Sequence, residues 1–184
     1  MTTGLDDEEL LGRTARDPAS FAPLVERHSA ALHGYFARRA PEAAEDLLAE
    51  LWLQAYATRR GFDPARGSVR AWLFGVARNV LSAHWRGAAT TRPDLARTIG
   101  DHDPWEAVDN RLVAAAVAPA LRELLAQLPS HERELLLLVA WEQLTPTEAA
   151  VVVGIPAATA RTRLHRARSR MRSDAPFDLT GDLK

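Results

Sequence analysis

Apolar residues recur every three or four positions along most of the chain, which is the spacing that predicts amphipathic helices. The alternation of apolar and polar residues that is typical of a strand is not found in the sequence. Asp17-Pro18 marks the beginning of one helix, and Pro41 begins another that extends to about Arg60. Alanine, leucine, arginine and glutamate, which favour helices, are abundant. The sequence therefore predicts an all-α fold.

Near the C-terminal end, the pattern predicts two short helices joined by a tight turn. Thr145 and Glu148 lie at a helix start with the spacing of a capping box. Gly154-Ile155 then interrupt the apolar run, and Pro156 begins a second, basic helix. A helix, a short turn with glycine and a basic helix are typical of the helix-turn-helix motif, whose second helix enters the DNA major groove.

This basic helix combines a small apolar stripe with a cationic outer face. At about 100° per residue, one narrow arc collects Ala160, Leu164, Ala167 and Met171, which suits docking on a neighbouring helix. The candidate residues for duplex DNA are Arg161, Thr162, His165, Arg166, Arg168 and Arg170. An arginine on the outward arc can read guanine through a bidentate contact, whereas those nearer the flanks are expected to hold phosphates. A merely solvated basic surface is the alternative.

Charge is segregated along the chain, although the net charge is only −1. Residues 1–56 carry five Arg and ten acidic residues, whereas residues 57–100 carry eight Arg and two Asp. Residues 101–156 are acidic again, with nine acids and three Arg, and residues 157–184 hold seven basic residues against three acids. Two basic zones separated by acidic ones predict two separate contacts with anionic partners.

Composition and spacing exclude several classes of protein. The chain has no cysteine, which excludes disulfides, zinc–thiolate sites and cysteine nucleophiles. No apolar run approaches the roughly 20 residues that span a membrane, and the N-terminus is acidic, unlike a signal peptide. We therefore expect a soluble cytoplasmic protein without membrane insertion. The histidines lack metal-ligand spacing and no glycine-rich phosphate loop is present, so we expect no enzyme, metal or cofactor.

The helix from Pro41 has an acidic face around a leucine. Its opposite arc is apolar and is expected to be core. The candidate residues for binding a partner protein are Glu45, Asp46, Glu50 and Leu53. Such a face can be simply solvated, or it can dock a basic partner with the carboxylates steering and Leu53 as the anchor.

A basic loop and a basic helix follow. Residues 58–68 contain two Gly and one Pro and predict a loop. The helix from Ser68 to Arg86 is expected to bury Val69, Trp72, Leu73, Val76, Val80 and Ala83. Aromatic and cationic side chains on one surface suit single-stranded DNA, and the candidates are Arg59, Arg60, Phe62, Arg66, Arg78, Asn79, Ser82 and Arg86. Phe62, Phe74 and Trp85 can equally pack inside the protein, and the pattern leaves this open.

These zones predict two small helical domains joined by a flexible linker. Residues 1–87 form the N-terminal domain, residues 88–110 an acidic linker and residues 111–173 the helix-turn-helix domain. Residues 174–184 have the composition of a disordered tail.

Four runs in register over about residues 18–172 resemble the extracytoplasmic-function (ECF) sigma factors, the minimal specificity subunits of bacterial RNA polymerase. The runs are Glu45-Asp46-Leu47 followed by Trp52, Trp72 to Asn79, Leu128-Pro129 before Glu132-Arg133-Glu134, and Thr159 to Arg168. The chain departs from the family at Ala158 and Ala160, where Gly and Val are usual, and at Ala49, where Gln is frequent. These departures bear on partner affinity and on promoter details.

The resemblance implies a role for each zone. The acidic helix would bind the β′ clamp of core RNA polymerase, and the basic loop and helix would capture the opened, single-stranded −10 element of promoter DNA. The linker would thread toward the RNA exit path, and the last domain would read the duplex −35 element near the β flap. Whether an anti-sigma factor also binds stays open.

The alternative is a helix-turn-helix transcriptional regulator that acts without being a polymerase subunit. It would account for the C-terminal third of the chain, but not for the basic aromatic helix. Dimerisation on a palindromic site would support it.

Overall fold

The computed structural model describes residues 5–91 and 119–174, and all regular structure in these two ranges is helical. Two compact units make up the chain, the first built mainly on the residues up to Ala88 and the second on most of those that follow. The predicted all-α fold with two helical domains is confirmed. The predicted linker from residue 92 onward and residues 175–184 of the predicted tail lie outside the described ranges. Within those ranges, no helix combines the length and the hydropathy needed to cross a membrane.

The N-terminal unit contains four α-helices in its described residues. They are α1 (Asp7–Arg13), α2 (Ala22–Arg39), α3 (Ala44–Thr58) and α4 (Val69–Thr91). Single 3-10 turns precede α2 and α3, and two further turns, Arg59–Gly61 and Pro64–Arg66, lie between α3 and α4. Three of these four turns begin at a proline, whose fixed φ suits the first position of a helical turn.

Aromatic rings fill the core of this unit. Tyr35 of α2 and Phe74 of α4 are each 1 % exposed, and their rings meet edge-on with centroids 5.7 Å apart. Phe21 packs edge-on against Trp52 and Tyr56 of α3, at centroid distances of 5.8 and 5.2 Å. Edge-on pairs of this kind are favoured by the ring quadrupoles, and here they join α2 to α4, and the 3-10 turn before α2 to α3.

The buried face of α4 is rotated from the predicted one. The predicted core residues that are buried are Val69, Leu73 and Val80. Trp72 and Val76 are only half-buried and Ala83 is exposed, whereas Phe74 and Leu81 are buried. Because apolar residues occur around most of the circumference of α4, their periodicity does not determine which arc of the helix faces the core. The arc that carries the large ring of Phe74 is the one that is buried. The helix also continues to Thr91, beyond the predicted end at Arg86.

The C-terminal unit also contains four α-helices in its described residues. They are α5 (Pro119–Gln127), α6 (Ser130–Ala140), α7 (Pro146–Val153) and α8 (Ala157–Asp174). Helices α6 and α8 pack against each other, and α8 also contacts α5. Helix α8 is the predicted basic helix.

The predicted helix-turn-helix is present. The backbone amide and the hydroxyl of Thr145 both donate to the Glu148 carboxylate at 2.9 Å, and the Glu148 amide donates to Thr145 Oγ1 at 3.2 Å. This is a complete capping box at the start of α7. At its end, the Gly154 amide donates to the Val151 carbonyl, and Gly154 has a φ of 77°. Glycine adopts this left-handed conformation without a steric penalty.

Candidate functional site

The acidic face of α3, formed by Glu45, Asp46, Glu50 and Leu53, is exposed as predicted. Leu53 is 69 % exposed, and no other large apolar side chain in the described ranges is classed as exposed. Around the helix axis, Asp46 lies about 20° and Glu50 about 60° from Leu53. An exposed leucine next to carboxylates is the arrangement expected of a docking site for a basic partner.

Two carboxylates of this face have weak intramolecular contacts. His33 Nε2 lies 3.0 Å from Glu45 Oε1, and the Glu45 side chain is 85 % exposed. Gln54 donates a hydrogen bond of 2.8 Å to Glu50. Contacts between solvent-exposed groups contribute little to stability. A partner's cations can therefore replace them.

The residues of the loop between α3 and α4 that were predicted to contact DNA differ in their exposure. Arg60 and Arg66 are exposed. Arg59 instead lies over the Tyr56 ring, 3.6 Å from the ring centroid, and donates to the Tyr56 carbonyl. Phe62 is half-buried, with its ring centroid 5.7 Å from that of Trp72. The outward cations of this loop are therefore Arg60 and Arg66.

The polar edge of α4 carries three of the predicted DNA residues. Asn79 and Arg86 are exposed and Ser82 is half-buried, and Arg86 donates to the Ser82 hydroxyl at 2.7 Å. Trp72 borders this edge, because it lies only about 20° from Asn79 around the helix. We call Trp72, Asn79, Ser82 and Arg86 the α4 edge.

The other aromatic and cationic candidates of α4 take different positions. The ring of Phe74 is core and is unavailable for stacking on a base. Trp85 is half-buried, with its ring centroid 5.4 Å from that of His84. Arg78 is also half-buried. The rotated face of α4 therefore identifies Trp72 as an edge residue, which periodicity had assigned to the core.

Helix α8, the second helix of the helix-turn-helix, is amphipathic in the predicted sense. Ala160, Leu164 and Ala167 are at most 2 % exposed, and Met171 is half-buried. The side chains predicted to contact duplex DNA are all exposed: Arg161, Thr162, His165, Arg166, Arg168 and Arg170. The Thr162 hydroxyl donates back to the Ala158 carbonyl at 3.1 Å, which leaves its methyl group and an acceptor lone pair for a partner.

Arg170 differs from the other arginines predicted to contact DNA on α8 because it pairs with a residue of another helix. Its Nη1 atom lies 2.9 Å from Glu132 Oε2, and the Glu132 side chain is only 8 % exposed. A buried carboxylate without a cation would be strongly unfavourable. Arg170 therefore fastens α8 to α6, and a phosphate would have to compete with this contact.

Sequence reasoning missed the buried charges at the start of α6. Arg133 is 3 % exposed, and its Nη2 atom donates to the carbonyls of Ala126 and Leu128, at 3.3 and 3.0 Å. These carbonyls lie at the end of α5, where helical acceptors lack intrahelical partners. The available signal was a run of three charged residues, 132–134, leading into a strongly apolar helix.

Within residues 5–91 and 119–174, no group of three or more His, Asp or Glu side chains is arranged to hold a metal ion.

Two family models match the chain, one in each unit. Sigma-70 region 2 matches residues 24–91, and Sigma-70, region 4 matches residues 119–171. The chain is 30 % identical over 166 residues to the ECF RNA polymerase sigma factor RpoE of Cereibacter sphaeroides, covering 87 % of this chain and 88 % of that protein. It is 36 % identical over 142 residues to the ECF RNA polymerase sigma factor SigC of Mycobacterium tuberculosis, covering 76 % and 74 %.

Two solved structures share the fold. One is CnrH in complex with the cytosolic domain of CnrY, with a TM-score of 0.59 and 25 % identity over 91 % of this chain and 95 % of that chain. The other is the sigma factor RpoE in complex with the anti-sigma factor NepR from Bartonella quintana. Its TM-score is 0.59 at 21 % identity, covering 86 % of this chain and 98 % of that chain.

Proposed function

We propose how this chain, which belongs to the ECF sigma factors of the sigma-70 family, divides the work of transcription initiation among its surfaces. As a sigma factor, it binds core RNA polymerase and directs it to promoter DNA. The acidic face of α3 binds the polymerase, the α4 edge and the preceding loop hold the opened −10 strand, and the exposed face of α8 reads the −35 duplex. The exposure of Leu53 among carboxylates carries this proposal.

On the acidic face of α3, Leu53 contributes to the affinity of the complex, whereas the carboxylates act while the partner approaches. Burying a leucine side chain against a partner contributes about 2 kcal/mol. Asp46 and Glu50 steer the approach of a basic surface and disfavour an acidic one. The β′ clamp of the polymerase is the partner surface that the family membership supports.

At the −10 element, the α4 edge offers stacking and hydrogen bonding together. Trp72, with Phe62 packed beside it, presents part of a ring to an unpaired base, and Asn79 can pair with a base edge. Arg60, Arg66 and Arg86 are exposed cations suited to the phosphates of the same strand. Stacking on aromatic rings requires that the base leave the duplex, so this surface favours opened DNA.

At the −35 element, α8 places its base-reading and phosphate-binding groups apart. Arg161 and Arg166 can each make a bidentate contact with guanine, which discriminates bases by about 1–3 kcal/mol. Thr162 can meet a thymine methyl group or a phosphate, and His165 a base edge or the backbone. Arg168 is assigned to a phosphate, a contact that positions the helix without specifying sequence.

A free-standing helix-turn-helix regulator is not favoured. It would leave residues 24–91 without a role, and these residues match sigma-70 region 2. The similarity throughout is to transcription initiation factors rather than to catalytic proteins.

We also propose an anti-sigma factor as a further partner, and the cytoplasm, where the polymerase lies, as the location. The support is the solved complex of a structurally similar sigma factor with the anti-sigma factor NepR. Such a partner should compete with core polymerase, so adding it to the assembled holoenzyme should release this chain.

The first prediction tests the acidic face of α3. Leu53→Ala, and separately Asp46→Lys combined with Glu50→Lys, should each weaken binding to core RNA polymerase by about tenfold or more. Because these side chains are exposed, the thermal unfolding temperature should stay unchanged. Glu26→Lys, a charge reversal at an exposed position of α2, is the control and should bind like the wild type. Binding is measured by titrating labelled protein with core polymerase.

Unchanged affinity in both α3 variants would remove the polymerase role from this face. Transcription from genomic fragments with core polymerase and the wild-type chain is the companion assay, because it tests the sigma activity independently of the residues assigned.

A further inference from the structure

Helix α1 is fastened to two other helices through adjacent carboxylates. Asp7 accepts a hydrogen bond of 2.7 Å from Arg27 of α2 and lies 2.6 Å from His28 Nε2. Glu8 Oε1 accepts a hydrogen bond of 3.1 Å from the backbone amide of Val69, the first residue of α4. The region 2 match begins at residue 24, so it assigns no role to α1.

The backbone amides in the first turn of α4 donate hydrogen bonds to two residues, Ser68 and Glu8. The amide of Ala71 donates to the Ser68 hydroxyl at 3.2 Å, and the amide of Trp72 to the Ser68 carbonyl at 3.0 Å. The amide of Val69, which has no intrahelical acceptor, donates to Glu8. A carboxylate at a helix N-terminus also interacts favourably with the helix dipole. Glu8 thus acts as a cap that is supplied by another helix.

This cap lies next to the surface assigned to the opened strand. Val69 is three residues before Trp72 and three residues after Arg66, so it joins the loop to the α4 edge. Fixing the Val69 amide fixes the point where the loop enters α4, and with it the packing of Phe62 on Trp72. A carboxylate repels phosphate, so Glu8 would contribute here by holding the backbone and not by contacting DNA.

We propose that Glu8 is a positioning residue for −10 strand capture, acting by holding the first turn of α4 and the end of the preceding loop. This proposal rests on the assignment of the α4 edge to the −10 strand. Binding side chains keep their positions only when neighbouring groups hold the backbone in place. A displacement of these side chains by about 1 Å is enough to reduce activity substantially.

The test uses four variants of the full chain. Glu8→Ala removes the cap, and Glu8→Asp keeps the charge but shortens the side chain by one methylene. Glu8→Gln keeps a carbonyl acceptor at the original reach. Glu9→Ala is the matched control, since Glu9 is the next exposed acid in the same first turn, and its amide, not its carboxylate, is bonded to Asp6.

Two readouts are measured for each variant. The first is hydrogen exchange of the amides from Val69 to Trp72. The second is permanganate reactivity of the open complex, with core polymerase, on a promoter from which the wild-type holoenzyme initiates. Glu8→Ala and Glu8→Asp should speed exchange at Val69 roughly fivefold, as expected for the loss of a helix cap. They should also reduce open complex, while Glu8→Gln should retain part of both properties and Glu9→Ala all of them.

Unchanged exchange at Val69 in Glu8→Ala and Glu8→Asp would overturn the proposal, as would faster exchange with normal open complex. Faster exchange throughout the N-terminal unit in Glu8→Ala would mean that this variant destabilises the whole unit, and the proposal is then judged on Glu8→Gln alone. In Glu8→Gln the proposal requires faster exchange that is confined to the first turn of α4, together with a partial loss of open complex. Any other result for Glu8→Gln contradicts it. Asn79→Ala distinguishes a failure of the α4 edge assignment from a failure of the positioning role of Glu8. A normal open complex in Asn79→Ala would refute the assignment of the α4 edge itself, whereas a defect there with a normal Glu8 series would refute only the positioning role.

Discussion

Two exposed arginines near the end of α8 illustrate how a single contact changes the role of a side chain. Arg168 and Arg170 are both exposed and both were assigned to phosphates from the sequence, yet only Arg170 reaches Glu132. Removing Arg170 would leave a carboxylate that is 8 % exposed without this cation, which destabilises the packing of α8 on α6. The two residues should therefore respond differently to the same substitution.

The second prediction concerns the arginines of α8. Arg161→Ala or Arg166→Ala should relax selection at particular −35 bases, by about 1–3 kcal/mol at each base. Arg168→Ala should weaken all sequences alike and lower the salt dependence by about one unit of slope. Arg170→Ala should leave that slope unchanged and lower the unfolding temperature. The measurement is transcription from a library of single-base −35 variants across a salt series, with thermal unfolding of each protein.

Wild-type base preferences in both the Arg161 and Arg166 variants would show that α8 does not read sequence through these side chains. A salt slope that falls in Arg170→Ala would restore Arg170 to the phosphate contacts.

The third prediction concerns the carboxyl group of Asp7. Burial alone would raise the pKa of this carboxyl, but the hydrogen bonds and charges of Arg27 and His28 outweigh burial and lower the pKa overall. Since the pKa is lower in the folded than in the unfolded protein, the stabilisation is complete above the unfolded value and disappears as the pH falls through the folded value. Asp7→Asn should therefore lower the free energy of unfolding by about 1 kcal/mol at pH 7, and by progressively less as the pH falls below 3.8, the ordinary pKa of an Asp side chain.

Urea unfolding of wild type and Asp7→Asn between pH 7 and pH 2.5 measures this difference. Glu9→Gln makes the same charge change at an exposed position of the same helix and is the control. A constant difference between Asp7→Asn and wild type across the range would mean that the ionised carboxylate is not the stabilising species.

At the scale of elements, local chemistry predicted where helices begin better than which way they face. The starts at Asp17-Pro18 and Thr145 depend on a proline and on capping side chains that act on neighbouring residues. The face of α4 depends on Phe74 meeting Tyr35, a contact between residues far apart in the sequence. For the same reason, the acidic face of α3 was predictable from one helix alone, whereas the bonds from Glu8 to Val69 and from Arg170 to Glu132 were not.

The fourth prediction concerns the α4 edge. Asn79 is exposed beside Ser82 and Arg86, so Asn79→Ala should reduce open complex on duplex template without affecting core binding or folding. Permanganate footprinting measures the opened bases. Ala83→Ser, at an exposed neighbouring position of the same helix, is the control for surface change.

A template with a pre-melted −10 bubble separates two possible defects in Asn79→Ala. Partial rescue on the bubble indicates that Asn79 acts in strand opening, and an equal defect on both templates indicates base recognition. Wild-type open complex on the duplex template would contradict the assignment.

At the scale of the whole molecule, the two surfaces that we assign to DNA are small and lie in separate units, while acidic segments alternate with the basic ones along the sequence. The fifth prediction follows from this distribution. The free protein should bind duplex promoter DNA weakly and with little sequence preference, because each surface offers few phosphate contacts and the acidic segments oppose DNA. With core polymerase the same DNA should be bound tightly.

Fluorescence anisotropy of a labelled promoter duplex, with and without core polymerase and at a stated salt concentration, measures both affinities. Tight and specific binding of a palindromic site by the isolated protein would instead support the regulator interpretation.

The bond between Glu8 and Val69 also constrains the order in which the chain folds during synthesis. Its two residues are 61 positions apart, and ribosomes add about 5–20 residues per second. Roughly 3–12 s therefore pass between the translation of the carboxylate and the translation of its amide partner. Seven residues of α1 are too few to form a stable helix alone. Helix α1 can therefore complete its contact with α4 only after Val69 has been translated, several seconds after its own synthesis.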